Sequence, residues 1–275
     1  KAADVQDAQW LQSYSGDDYP WLATLVYGGN VYDHVRYRAG GDAWRYAMGK
    51  NAWELDFNRA HGFQADDNYG DNYSESWDTL ALSAVIQRGD LGARGEEGLF
   101  EAVAYRLFNL AGVAAPNTTF SQLRVIDAAA EAGASQYDGD FWGLYLAIEP
   151  LGGDFLDEHG LADGNLYDIR GTTGDLLNQG AAAATDQSDL DAFVAAYTGP
   201  SPADAWWRAN FDLDGYYSFR AIVEGTHLYD IGDGSNYLYY RDPATGRWAI
   251  LPEAADLTWA DTMPGDGAEP FVGRV

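Results

Sequence analysis

His227-Leu-Tyr-Asp230-Ile-Gly-Asp-Gly-Ser-Asn236, then Tyr237-Leu-Tyr-Tyr240, Asp242-Pro-Ala-Thr-Gly246, Arg247-Trp-Ala-Ile-Leu251 and Pro252-Glu-Ala-Ala-Asp256: this stretch decides how the chain is read. Two short aromatic-rich runs flank a turn containing Pro and Gly, which predicts a β-hairpin. An Asp and an Asn stand before the hairpin, and an acidic residue follows it.

That order has a chemical meaning. Phosphoryl transfer needs a carboxylate to orient the attacking hydroxyl and oxygen ligands for Mg²⁺ on the nucleotide phosphates. Protein kinases supply them from a catalytic loop, His-Arg-Asp followed by Asn, then two short strands, then a metal-binding Asp. Here the spacing is His-x-x-Asp-x-x-x-x-x-Asn, one residue longer on each side. The plan is similar without being a motif match. The plainer alternative makes Asp230, Asp233 and Asn236 solvated turn residues, since Asp, Asn and Gly are common in turns.

Working outward, the 275 residues suffice for one large domain or two lobes. Aromatics are 15% of the chain, with ten Trp and nineteen Tyr, which predicts a packed aromatic core or an aromatic cleft. No apolar run is long enough for a membrane-spanning helix. The net charge of −27 excludes a nucleic-acid partner and disfavours an anionic membrane surface. It favours basic partners. The absence of cysteine removes disulfides, thiolate metal sites and Cys nucleophiles. The chain opens Lys1-Ala-Ala-Asp with no leader, which fits either a removed leader or a start inside a longer protein.

There are only two lysines, Lys1 and Lys50. A lone internal lysine in an Arg-preferring chain fits a point-charge role against phosphates, and equally fits chance survival on the surface. Its surroundings predict an antiparallel sheet. Trp21–Tyr27 and Val31–Arg38 form a hairpin across Gly28-Gly-Asn30, followed by a Gly-containing loop at 39–44 and a third strand at 53–57. Residues 58–75 read as polar loop, and 76–86 as a helix or irregular core segment. Residues 95–111 read as a helix whose apolar stripe is Leu99, Val103, Leu107 and Leu110. Its Glu96, Glu97 and Glu101 are candidate partners for Lys50, or else helix-dipole complements. Strands are predicted at 119–127, 143–149 and 164–170, with helices at 154–161, 186–197, 205–208 and 213–228. Pro150 and Gly152-Gly153 suit a hinge.

With those residues quoted, the chain resembles the CotH family, spore-coat-protein-H-like proteins with an atypical protein-kinase fold. The matching segments are Val35–Arg45 with Lys50 and Phe57, Phe141–Glu149, Asp163-Gly-Asn-Leu-Tyr167, Tyr229-Asp230 with Asn236-Tyr237, and Asp256-Leu-Thr-Trp259. The resemblance implies an α+β, two-lobed fold, with an antiparallel-sheet N-lobe over about 1–149 and a mainly helical C-lobe over 150–275. It implies ATP binding between lobes and Mg²⁺-dependent transfer to protein Ser or Thr, autophosphorylation included; Ca²⁺ or Mn²⁺ are alternative metals. Lys50 and Arg38 would meet the nucleotide phosphates, and Glu149 would sit at the hinge near the adenine. Asp230 would orient the acceptor hydroxyl, and Asn236 and Asp256 would hold the metal. Analogy adds an extracellular or cell-surface bacterial protein; a monomer is expected, and the acidity points to a basic protein substrate.

Two departures matter. The family's post-hairpin motif is close to Trp-Asp-x-Asp, but this chain reads Glu253-Ala254-Ala255-Asp256, so only the second Asp is present. If the first Asp is the metal ligand, the chain is a natural pseudokinase or a deliberately inactivated version. Asp168 also stands where the resemblance leads one to expect Lys. The competing readings are a non-catalytic surface or binding module of the same fold, and a Ca²⁺-stabilised glycan-binding domain.

Overall fold

The computed structural model describes residues 5, 20–40, 50–85, 97–133, 135, 140–200, 202–228, 231 and 234–259. The chain divides into two compact units. One comprises Lys1–Leu99 with Thr118–Pro150, the other Phe100–Asn117 with Leu151–Val275.

The first unit is built on β1 (Trp21–Tyr27), β2 (Asn30–Gly40), β3 (Ala52–Asp56), β4 (Thr79–Ser83), β5 (Thr118–Val125) and β6 (Asp140–Ile148). They form one antiparallel sheet in the order β1-β2-β3-β4-β6-β5. Strand alternation explains the core. Val35, Tyr37 and Ala39 of β2, Trp53 and Leu55 of β3, and Leu80 and Leu82 of β4 are buried, while their neighbours turn outward. The β1–β2 hairpin turns on Gly28 and Gly29, whose φ angles of 58° and 85° put both in the left-handed region that a two-residue hairpin turn needs to match the strands' right-handed twist. The segment read as polar loop does more than connect. Phe63, Ala65 and Trp77 lie in the core, and Phe63 and Trp77 exchange main-chain hydrogen bonds. The segment read as a helix or irregular core around 76–86 contains β4 instead.

The second unit holds most of α1 (Glu97–Leu110), then α2 (Gly153–Glu158), β7 (Asn165–Arg170), β8 (Thr173–Asn178), α3 (Ser188–Thr198), α4 (Asp204–Asn210), α5 (Leu213–Thr226), β9 (Ser235–Arg241) and β10 (Trp248–Pro252). The predicted hairpin is present as β9–β10, and it extends into an antiparallel sheet ordered β10-β9-β7-β8. The α+β class stands, and among the described residues from 150 onward helix outweighs strand, with a four-stranded sheet beside the helices. Among the described residues as a whole strand exceeds helix, 36% against 27%, because the first unit is almost all sheet. β8 went unread because Thr-Gly-Asp-Leu-Leu-Asn lacks period-two alternation. Gly164, in the quoted Asp163–Tyr167 segment, lies so close to the Arg241 carbonyl that a Cβ would collide with it.

α1 is a helix as predicted, but it is rotated from the predicted face. Leu99, Val103 and Leu110 are exposed, whereas Glu101, Ala104, Tyr105 and Phe108 are buried. Phe108 packs on Phe219 of α5 with ring centres 5.4 Å apart. Two apolar stripes overlap in this sequence, and the one carrying the large rings removes more apolar surface from water.

Candidate functional site

In the first unit, β6 carries Tyr145 and ends just before Glu149. Lys50 stands two residues before β3, and its ammonium donates to the carbonyls of Ala84 (3.0 Å) and Leu144. It lies 4.1 Å from the centre of the Tyr145 ring, a cation–π contact. The Tyr145 hydroxyl donates to the Asn51 carbonyl at 3.0 Å, fixing the ring beneath the lysine. Burial pushes the Lys50 pKa down to about 8. Neutral carbonyls offset desolvation only in part, so this charge is poorly compensated by the groups that hold it.

Glu149 is 2% exposed. It stands four positions after Tyr145, so at the strand rise of about 3.4 Å per residue the two are ~14 Å apart along the chain. Arg38 belongs to β2. It lies opposite Glu54 across β2–β3, and its guanidinium pairs with that carboxylate at 2.6 Å. Of the glutamates considered for Lys50, Glu101 is buried in the second unit. Glu96 and the Glu97 side chain lie outside the described residues.

In the second unit, the candidates gather at the open end of the β9–β10 hairpin. Asn236 adopts a left-handed φ of 66°, and its carbonyl accepts the Glu253 N–H at 3.2 Å. The Glu253 carbonyl accepts the Tyr105 hydroxyl at 2.8 Å, tying α1 to the strand exit. Burial, then the nearby Glu101, Asp256 and Glu253 carboxylates, hold that phenol well above its ordinary pKa, so it stays a donor. Beyond β10 the loop is fixed by Thr258, which donates to the Ala255 carbonyl at 3.3 Å. The Trp259 N–H reaches Thr226 at the end of α5 at 2.7 Å. The same anchor therefore serves the chain leaving α5 and the chain leaving the hairpin. Asp230 falls in the first of these segments and lies outside the described residues, as do Tyr229 and Asp233.

Asp256 is exposed as a residue, while desolvation is the leading influence on its carboxyl. That desolvation raises its pKa against two main-chain hydrogen bonds that lower it. A cation arriving there would favour the ionised form. Among the described residues no three His, Asp or Glu side chains form a ready-made metal cage. Nucleotide-bound Mg²⁺ does not ask for one, because it takes one or two protein oxygens and completes its shell with phosphates and water. Asn236 and Asp256 carry oxygens of the kind such a set uses. Ala254 supplies nothing to it.

The sequence reading missed the charged group next to these residues. Asp168 and Arg170 alternate onto the same face of β7 and pair at 2.7 Å. Arg170 also lies 3.6 Å from Glu253. Burial works against the Arg170 charge, but Asp168 and then Glu253 outweigh it, and its pKa ends above the ordinary value. So where Lys was expected at 168, a carboxylate stands with an arginine two residues on. The i, i+2 spacing in a strand was the available signal.

The family model described as CotH kinase protein matches residues 45–272. This chain belongs to the CotH kinase family. No curated protein matches it. Membership supports a kinase-like enzyme at a coarse level, and with it the general use of ATP and a divalent metal. The matched CotH span includes Lys50, Glu149, Asn236, Ala254 and Asp256, and it begins beyond Arg38.

Proposed function

We propose that this CotH-family chain is an atypical, kinase-like protein that binds ATP with Mg²⁺ and is built to transfer phosphate to Ser or Thr, its own included. The observation that carries the reading is Lys50: the only internal lysine is partly buried against two carbonyls and a ring, with its pKa lowered to about 8. A compact, desolvated positive charge suits an incoming phosphate. Asn236 and Asp256 would hold Mg²⁺, which neutralises phosphate charge when bound, and Asp230 would orient the acceptor hydroxyl. Glu149 would lie toward the base. Turnover is weak or absent because Ala254 leaves the first post-hairpin position without a carboxylate. By family analogy the protein works as a monomer at the bacterial surface or outside the cell, and its acidity favours a basic acceptor.

A second reading has its own observation. Arg170 is already paired with Asp168 and Glu253 beside Asn236, which suits a non-catalytic member that binds without transferring.

The test is autophosphorylation with labelled ATP and Mg²⁺, on this chain beside Ala254→Asp. Label on the Asp version alone identifies a kinase lacking one metal ligand. Label on both moves the essential carboxylate to Asp256. Label on neither, with saturable Mg²⁺-dependent ATP binding, selects the non-catalytic reading. Absence of ATP binding as well defeats the nucleotide proposal.

A further inference from the structure

The second unit contains an aromatic cavity that the nucleotide proposal does not use. Its volume is about 410 Å³, and it is lined by Tyr197, Trp207, Phe211, Leu213, Tyr216, Tyr239 and Ile250. Five of these seven are aromatic. Phe211, Tyr239 and Ile250 are buried and form its floor, while Tyr197, Trp207 and Tyr216 are half-buried at its mouth. The rings meet at steep angles. Trp207 crosses Phe211 at 88°, Tyr239 crosses Phe211 at 89°, and Tyr216 crosses Phe211 at 71°. Such a set walls a space on several sides, whereas a flat stack would fill it.

The walls are held from behind. Phe193 of α3 stacks on Phe211 at 5.9 Å and on Trp248 at 4.9 Å, and meets Tyr239 edge-on at 5.4 Å. The hydroxyls of Tyr197 and Tyr237 interact with that of Tyr239, whose pKa is raised first by burial. The box is therefore preorganised, and a ligand need not order it.

Its electrostatics select a class of ligand. Among the described residues no charged side chain lines the cavity. Aromatic faces carry negative potential and attract organic cations, most strongly when these are desolvated. The stretch Phe211-Asp212-Leu213-Asp214-Gly215-Tyr216 interleaves two carboxylates with three lining residues, and Asp204 opens α4. Arg208, next to Trp207, is the opposing charge nearby in sequence. The whole chain, at −27, concentrates cations around it. We infer that this cavity is a binding site for an organic cation, either an alkylated ammonium headgroup or the side chain of a basic peptide.

Calorimetric titration of the full chain tests this with choline, N-acetylarginine amide, glucose, and the uncharged isostere of choline that has a quaternary carbon in place of nitrogen. At least one cation should bind about tenfold or more tightly than the isostere. Trp207→Leu and Tyr216→Leu should each weaken it by about tenfold, while Tyr217→Ala, exposed next door and outside the lining, should leave it unchanged. Tighter binding of choline assigns the headgroup source, and tighter binding of the arginine probe assigns a basic peptide. Equal binding of the isostere shows a merely apolar cavity, preference for glucose shows a sugar site, and no binding of any probe shows no site. Each of those three results overturns the inference. Loss of ATP binding leaves it untouched, since the two sites share no residue.

Discussion

Lys50 in the first unit and Arg170 in the second are cations at the candidate sites, and their surroundings are opposite. Lys50 is held by carbonyl oxygens and an aromatic face, and its pKa falls to about 8. Arg170 is held by Asp168 and Glu253, and its pKa rises. Both are partly buried, so desolvation penalises both. The difference lies in what repays it. Partial charges leave a cation open to an incoming anion, whereas full carboxylates have already spent it. A single type of charge in a pocket therefore says little about ligand binding until its immediate counter-charges are named.

The largest effect that would break this comparison is on nucleotide binding. Lys50→Met should lower ATP affinity by about a hundredfold, a loss of one charge-assisted phosphate contact, while circular dichroism stays native. Unchanged affinity would make Lys50 a structural residue. The same variant reads the pKa directly. Because the folded-state pKa is depressed from 10.5 to about 8, the unfolded chain holds the proton more tightly between those values. Stability therefore climbs as pH rises from about 8 to 10.5, relative to Lys50→Met, and the full penalty is present below about 8. Discounted for solvent around a partly exposed group, the climb is ~1–2 kcal/mol. Parallel unfolding curves for the two proteins across that window would sink the claim.

Arg170→Ala comes next. It strips Asp168, which is largely buried, of its cation and should cost about 1–2 kcal/mol by urea unfolding, because Arg170 itself is half exposed. Asp168→Asn in the same background should recover part of that loss; failure to recover any would mean that Arg170 acts through packing. Arg38→Ala should matter least. Its pairing with Glu54 lies on the exposed side of the sheet, so less than about 1 kcal/mol is expected, with ATP affinity unchanged within twofold. A large drop in affinity would restore Arg38 to the nucleotide contact that the resemblance assigns it.

How legible was this molecule in its sequence? The β9–β10 hairpin was legible because aromatic runs and the Asp242–Gly246 turn obey short-range rules. β4 was not, because Trp-Asp-Thr-Leu-Ala-Leu-Ser-Ala-Val-Ile satisfies helical and extended spacing alike. The buried face of α1 was misread for a related reason, since Leu99, Val103 and Leu110 compete with Ala104, Tyr105 and Phe108 for it. Lys50 stood out by rarity, but its anchors did not. Main-chain carbonyls of Ala84 and Leu144 leave no mark in a sequence. The Asp168–Arg170 pair did leave one, two residues apart on a strand.

The lowered pKa of Lys50 has a practical corollary. An amine that is substantially deprotonated near pH 8 is a nucleophile, and this chain has only one other lysine. An acylating reagent at mild pH would thus tag Lys50 almost alone among its side chains, and a mass spectrum would show whether anything already covers it. The protein carries its own chemical footprint of occupancy at the one place where a phosphate is expected to land.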